Sequence, residues 1–440
     1  MKKALRTAAT SLWLILAVAL AVRLVYAWDF QSHRPKQALS VIPFLFESGN
    51  IAYSLASGHG FSSPFHVETG PTAWMTPVYP IILAGLFKVC GPYTFNAWIA
   101  AVLLNILWSA LTCVPIFLAG RRIAGLGVAA GAAWLWAIFP NAFQISVQSF
   151  WDASLSALLA TTILWATLGA AESRRMRDWC GYALLWGIAL MTNATLSSLL
   201  PLLLAWMAYR DRRQGRGWLA KPALAFGIAM LCCAPWTIRN YAVFHSFIPL
   251  RSVLGLQLWM GNNAQSKDLW LGEGHPIHET AEREKYIKMG EIAYMREKKQ
   301  QAVQYMLTHP RREVHLMGHR FITLWAGGAT NPVGDFLCSK SMWFRAVLLF
   351  NLAATTGALL GIVVLCWKRS AYAFPLGVFP VVYPCAYYFT LALPRYRLPI
   401  DPIVLLLAAI AAQALFHRIT NGKLRNPAGA RASHGEVAQT

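Results

Sequence analysis

The side chains best suited to chemistry in this 440-residue chain sit at the edges of apolar segments. Glu47, Glu68, Asp152 and Asp401 all fall at or near such ends, and none lies mid-segment. A carboxylate deep in a bilayer is expensive and usually marks transport or a proton relay. At a segment end it can instead accept a proton at the membrane surface, and partial burial can bring its pKa towards ambient pH. Arginines keep similar places: Arg239 follows one apolar segment, Arg395 and Arg397 precede the last, and Arg23 lies about a turn inside the first. A planar guanidinium fork suits phosphate, although such residues also snorkel to lipid headgroups. Asp152 equally suits the N-cap of a helix beginning at Ala153. His315 and His319 share a helical face, and His275 and His278 are three apart. Zinc would need a further ligand and the Glu of H-E-x-x-H, so solvated or hydrogen-bonded histidines are the simpler reading. No G-x-x-x-x-G-K-[ST] run and no C-x-x-C pair occurs among the residues, which argues against an ATPase and a thiolate metal site.

The elements that position these residues are membrane helices. Hydrophobic residues make up 57% of the chain and charged ones 13%, about half the usual share, and too few to cover a soluble surface. With a ruler of about 20 apolar residues per crossing, ten spans are expected, near 7–28, 94–119, 124–140, 153–171, 180–194, 196–209, 219–236, 342–366, 371–393 and 399–416. A signal peptide ending near Val25-Tyr26-Ala27 is the rival reading of the first, but Arg23 interrupts its apolar region. The long run 179–209 breaks best at Thr192-Asn193-Ala194, because basic clusters flank both of its ends. Gly127 and Gly131 give a small-xxx-small spacing for close helix packing.

The net charge of +21 could signal nucleic acid or membrane orientation. Most of the surplus falls in the short segments 1–6, 120–123, 172–178, 210–221, 367–370 and the tail from 417. That is the pattern of lysines and arginines held inside, and it removes nucleic acid as a partner. Both termini are then cytoplasmic and two long segments, 29–93 and 237–341, are periplasmic. The chain divides into an N-terminal membrane module (1–236), a periplasmic helical segment (237–341), C-terminal membrane helices (342–418) and a disordered tail (419–440). Pro77 to Cys90 is too short to span and lies at the outer interface. A polar helix is expected from about 279 to 307, ended by Pro310.

The run Phe46-Glu47-Ser48-Gly49-Asn50-Ile51-Ala52-Tyr53-Ser54-Leu55-Ala56-Ser57-Gly58-His59-Gly60-Phe61, followed by Thr69-Gly70-Pro71-Thr72 and Pro77-Val78-Tyr79-Pro80, resembles the first outer loop of the polytopic GT-C glycosyltransferases. The similar branch holds protein mannosyltransferases and the aminoarabinose transferases that modify lipid A. The resemblance extends in order to Arg239-Asn240-Tyr241, Leu258-Trp259-Met260-Gly261-Asn262-Asn263 and Pro394-Arg395-Tyr396-Arg397-Leu398-Pro399.

It implies an all-α polytopic membrane protein of GT-C fold in a bacterial-type inner membrane. The implied reaction is inverting transfer of a sugar from a polyprenyl-phosphate donor to a lipid, glycan or protein acceptor at the periplasmic face. Glu47 is then the base, with Glu68 in reserve, and Asp152 orients the acceptor or helps hold a divalent metal ion, the one cofactor left open. Family members carry an Asp about a turn earlier, near Phe44 here, so Glu47 serves only if the helix presents its next turn. Arg239, Arg395, Arg397, Arg23 and Asn263 are the implied substrate-binding residues, with Lys88 a weaker candidate. A ligase of whole lipid-linked glycans is the alternative enzyme. A polyprenyl-phosphate or glycolipid transporter is the rival class, disfavoured by the missing mid-span acid and the lack of paired halves.

Overall fold

The computed structural model describes residues 9–266 and 273–424, with the side chains of 421–424 excepted. Among the described residues the secondary structure is helical, and a single antiparallel bridge joins Ser62 to Pro71. The chain is thus all-α and multi-pass, as expected. Six helices are long and apolar enough to cross a membrane: Leu12–Ser32, Phe95–Ala124, Ala153–Ala170, Ala220–Phe244, Met342–Trp367 and Asp401–Thr420. A seventh crossing arises if Leu126–Ala137 and Pro140–Gln148, bent by 43°, act as one. The other three of the ten expected spans are shorter helices: Met176–Thr192, Leu200–Arg213 and the apolar stretch Ala373–Phe389.

The break expected near Thr192 is present. Helix Met176–Thr192 stops at Asn193, whose side-chain oxygen accepts from Thr195 N–H at 3.0 Å and starts the 3-10 turn Ala194–Ser198. Ala153–Ala170 is the most buried span and packs against Met176–Thr192, Phe95–Leu111 and Cys113–Ala124. Small residues bring other helices close. A Cβ at Gly187 would lie 2.5 Å from Cβ of Cys232, and one at Gly120 would lie 2.9 Å from Ala129 Cα. Gly127 and Gly131 do not serve this purpose, since nothing lies within 4 Å of a Cβ at Gly131. The tight crossing uses Gly120 instead.

Arg23 is a correction. It is fully buried and donates to Ser109 Oγ (2.9 Å) and to the carbonyls of Ala19 (2.9 Å), Ala137 (2.9 Å) and Trp136 (3.3 Å). Two of those carbonyls end helix Leu126–Ala137, and Pro140 at the next helix start has no N–H to offer the Trp136 carbonyl. The guanidinium therefore caps the bend and is committed to structure, leaving none of it for a substrate.

Outside these spans, Val78–Cys90 forms the short apolar helix that was expected. The polar stretch divides in two, Thr280–Met289 and Glu291–Thr308, because Gly290 adopts φ 76°. Pro310 does not merely stop it, as it opens a further helix, Pro310–Trp325, where a first-turn proline is well suited. Glu291 binds this segment to the first outer loop. Its buried carboxylate accepts from Thr72 Oγ1 (2.5 Å), Ala73 N–H (2.8 Å), Ser252 Oγ (2.6 Å) and Tyr286 OH (2.7 Å). The last helix runs on to Leu424, past the start of the expected tail, and the remaining residues lie outside those described.

Candidate active site

Segments far apart in sequence meet at one cavity of about 150 Å³, whose walls include Glu47, Asp152, Arg251, His275, Tyr383 and Arg395. Glu47 is the first residue of helix Glu47–Ala56, after an extended Phe46. The helix can start this tightly because residue 49 is glycine: a Cβ there would collide with the Phe44 carbonyl. Phe44 itself stacks on Phe150, with centroids 4.8 Å apart, and Ser48 Oγ donates to the Phe150 carbonyl at 2.7 Å. These contacts lock the Glu47 helix to the loop that carries Asp152.

Glu47 is buried, with one oxygen, Oε1, 2.9 Å from His275 Nε2 and the other, Oε2, without a hydrogen-bond partner among the described residues. Burial alone would raise its carboxyl, but the nearby His275 and then Arg395 outweigh burial and hold it below the ordinary glutamate value. This reverses the upward shift expected from burial. Asp152 goes the other way: burial pushes it up, only partly opposed by Ser156 Oγ at 2.7 Å and by Arg251. It precedes helix Ala153–Ala170 without capping it through its side chain. The cap position is therefore occupied while the carboxylate remains at the cavity. Asn193 donates to Ser156 Oγ (3.2 Å) and to Tyr383 OH (3.5 Å), and Tyr383 OH lies 3.2 Å from Tyr387 OH. Asp152 is thereby tied to the break in the membrane helices.

Two arginines face the cavity. Arg395 lies over Trp151 at 4.5 Å and Tyr396 at 5.3 Å from the ring centroids. Arg251 makes one long contact, 3.5 Å, to Gln257 Oε1. Among the described residues neither has a carboxylate within ion-pairing distance, so their charge is available to an anion.

The other expected ligands lie elsewhere. Arg397 is buried and paired to Asp401 (2.5 Å) and the Trp325 carbonyl (2.6 Å). Arg239 braces the first loop through the carbonyls of Thr72 (2.7 Å) and Phe61 (2.8 Å). Asn263 serves its own turn, donating to the Trp259 carbonyl and accepting from Gln265 N–H, both at 2.7 Å. Its neighbour Asn262 makes the long-range bond, to the Phe389 carbonyl at 2.7 Å. Glu68 and Lys88 are exposed and do not line the cavity. The His315 and His319 rings lie 4.4 Å apart, yet no group of three or more His, Cys, Asp or Glu side chains among the described residues could hold a metal.

His275 and Arg251 are the cavity residues that the sequence does not reveal. The spacing of His275 and His278 is visible, but nothing in it points to a partner more than two hundred residues earlier.

Residues 74–238 match the family model described as dolichyl-phosphate-mannose-protein mannosyltransferase. No curated protein matches the chain. The structure is similar to the oligosaccharyltransferase of Archaeoglobus fulgidus in its apo form (TM-score 0.54, 13% identity, 96% of this chain and 52% of that one). It is likewise similar to AglB from the same organism, in complex with an inhibitory peptide and a dolichol-phosphate (TM-score 0.55, 14% identity, 96% and 52%). The match to ArnT from Cupriavidus metallidurans has a TM-score of 0.36 at 16% identity, covering 92% of this chain and 79% of that one. The chain thus spans about half the length of the archaeal enzyme. Its fold is GT-C, and its residues 74–238 carry the sequence pattern of the dolichyl-phosphate-mannose-protein mannosyltransferases.

Proposed function

We propose that the chain is a membrane glycosyltransferase that moves a sugar from a polyprenyl-phosphate donor to a nucleophile on a lipid, glycan or protein at the outer face. The observation that carries this reading is the cavity joining two carboxylates, Glu47 and Asp152, to two arginines, Arg251 and Arg395, that have no acidic partner among the described residues. The dolichol-phosphate of the archaeal relative belongs to a protein of the same fold. Arg251 and Arg395 replace Arg239 and Arg397 as the groups that meet the lipid phosphate.

In the reaction, an acceptor hydroxyl attacks the anomeric carbon from the side opposite the phosphate. The new carbon–oxygen bond forms as the bond to phosphate breaks, so the configuration inverts. The acceptor proton passes to Glu47, whose unpaired oxygen is ionised across the neutral range, and the bond electrons leave with the phosphate. Arg251 and Arg395 neutralise that developing charge, which is worth most where water is scarce. Asp152 orients the acceptor hydroxyl. Trp74, Trp151 and Tyr396 supply aromatic faces for a sugar ring. The small cavity favours one sugar over a whole glycan.

The side assignment follows from the basic short segments, which place both termini in the cytoplasm and the cavity at the periplasmic surface. In detergent, with no barrier present, the purified chain should convert a labelled polyprenyl-phosphate sugar to a glycosylated acceptor. Movement of intact donor across sealed vesicles, without conversion in detergent, would instead establish a transporter.

A further inference from the structure

The contact between Glu47 and His275 joins the first outer loop to a turn more than two hundred residues later, and both side chains are buried. The Ile277 N–H donates to His275 Nδ1 at 3.1 Å. With Nδ1 facing the Ile277 N–H, Nε2 is the ring nitrogen turned to Glu47 Oε1. The ring's angle is set by Trp74 and Phe65, whose centroids lie 5.6 and 6.3 Å away and whose planes stand at 72° and 88° to it. Its backbone is fixed by Gly274, which adopts φ 75° beneath the Trp259 ring, with its N–H donating to Glu279 Oε1 at 2.5 Å.

We infer that His275 is a positioning residue for the base: it occupies one oxygen of Glu47 and leaves the other, buried and without a hydrogen-bond partner among the described residues, to take the acceptor proton. This rests on the reading of Glu47 as the base. A simple structural pin would not need the second oxygen of Glu47 to lack a partner among the described residues, whereas a base held by an orienting partner does, much as one group holds a catalytic imidazole in place. The other charged or titratable groups facing Glu47 are His66 and His278, both exposed, and Arg395, which is stacked on Trp151. Among the described residues, His275 is the one side chain in buried contact with the carboxylate.

The test measures kcat and KM against pH for the full chain in detergent, with a labelled polyprenyl-phosphate sugar. His275→Ala is expected to lower kcat about 10- to 100-fold, the scale of one hydrogen bond to a charged group, with KM little changed. Its acidic limb should move to higher pH, because burial of Glu47 is then less opposed. His275→Gln places an amide N–H where Nε2 stood and should restore most of kcat, whereas His275→Asn is too short and should resemble alanine. Equal rates for the Gln and Asn variants at matched thermal stability would overturn the positioning role, as would an unmoved acidic limb in His275→Ala. Full turnover by Glu47→Gln would instead overturn the base assignment itself, so the two failures are distinguishable.

Discussion

At the scale of single residues, Glu47 and Asp152 are two carboxylates at one cavity with opposite electrostatics. Glu47 is held below its usual 4.5 because His275 and Arg395 outweigh burial, and Asp152 is raised above 3.8 because burial dominates. A lowered pKa means that the base form is complete above the ordinary value and is lost only as pH falls through the lowered one. The rate limb belonging to Glu47 should therefore lie below pH 4.5, measured as kcat against pH at saturating donor. Replacing the base should cost about 10²- to 10⁴-fold in kcat, with donor affinity preserved in Glu47→Gln. Arg251→Gln and Arg395→Gln should each lower kcat/KM about 10- to 100-fold, since each removes a charge-assisted contact to phosphate. Arg239→Gln should act mainly on stability, because its guanidinium is spent on the Thr72 and Phe61 carbonyls.

At the scale of elements, close approaches place the side chains proposed to be catalytic. Gly49→Ala should destabilise the chain by about 1–3 kcal/mol, read as a lower unfolding temperature, because the new methyl meets the Phe44 carbonyl. Arg23→Leu tests the correction made for that residue. It should lower stability by about 2–5 kcal/mol, because Ser109, Ala19, Trp136 and Ala137 each lose a buried donor, while KM for donor stays unchanged. A raised KM with unchanged stability would restore Arg23 to the substrate. Helix identity was legible from apolar length, and so was the break at Asn193, because charge at both ends of 179–209 demanded it. The division at Gly290 was less legible, since a single glycine inside a periodic stretch is often tolerated. Arg23 shows where sequence falls short: an arginine near a span end looks the same whether it meets a lipid phosphate or the carbonyls at a helix bend.

At the scale of the whole molecule, sequence order and charge carried the fold, but the site depended on distance. Glu47, Asp152 and Arg395 could be singled out because each stands beside an apolar segment. Arg251 and His275 could not, because they belong to polar turns whose position is set by the Glu291 network and by Gly274 beneath Trp259. The proposed orientation gives its own prediction. Cys338 and Cys366 are both exposed; Cys338 ends the short helix Pro332–Cys338 just before the span Met342–Trp367, and Cys366 lies at the far end of that span. An impermeant thiol reagent on intact cells should label Cys338 and spare Cys366, and the reverse pattern would invert the topology. The central claim is tested most directly by the release of free polyprenyl phosphate from a labelled polyprenyl-phosphate sugar by the purified chain in detergent. Release by the wild type should match sugar transferred one for one, and Glu47→Gln should bind the donor yet release less than about 1% as fast. Wild-type release by Glu47→Gln, or donor that is bound and never cleaved by either protein, would contradict the account.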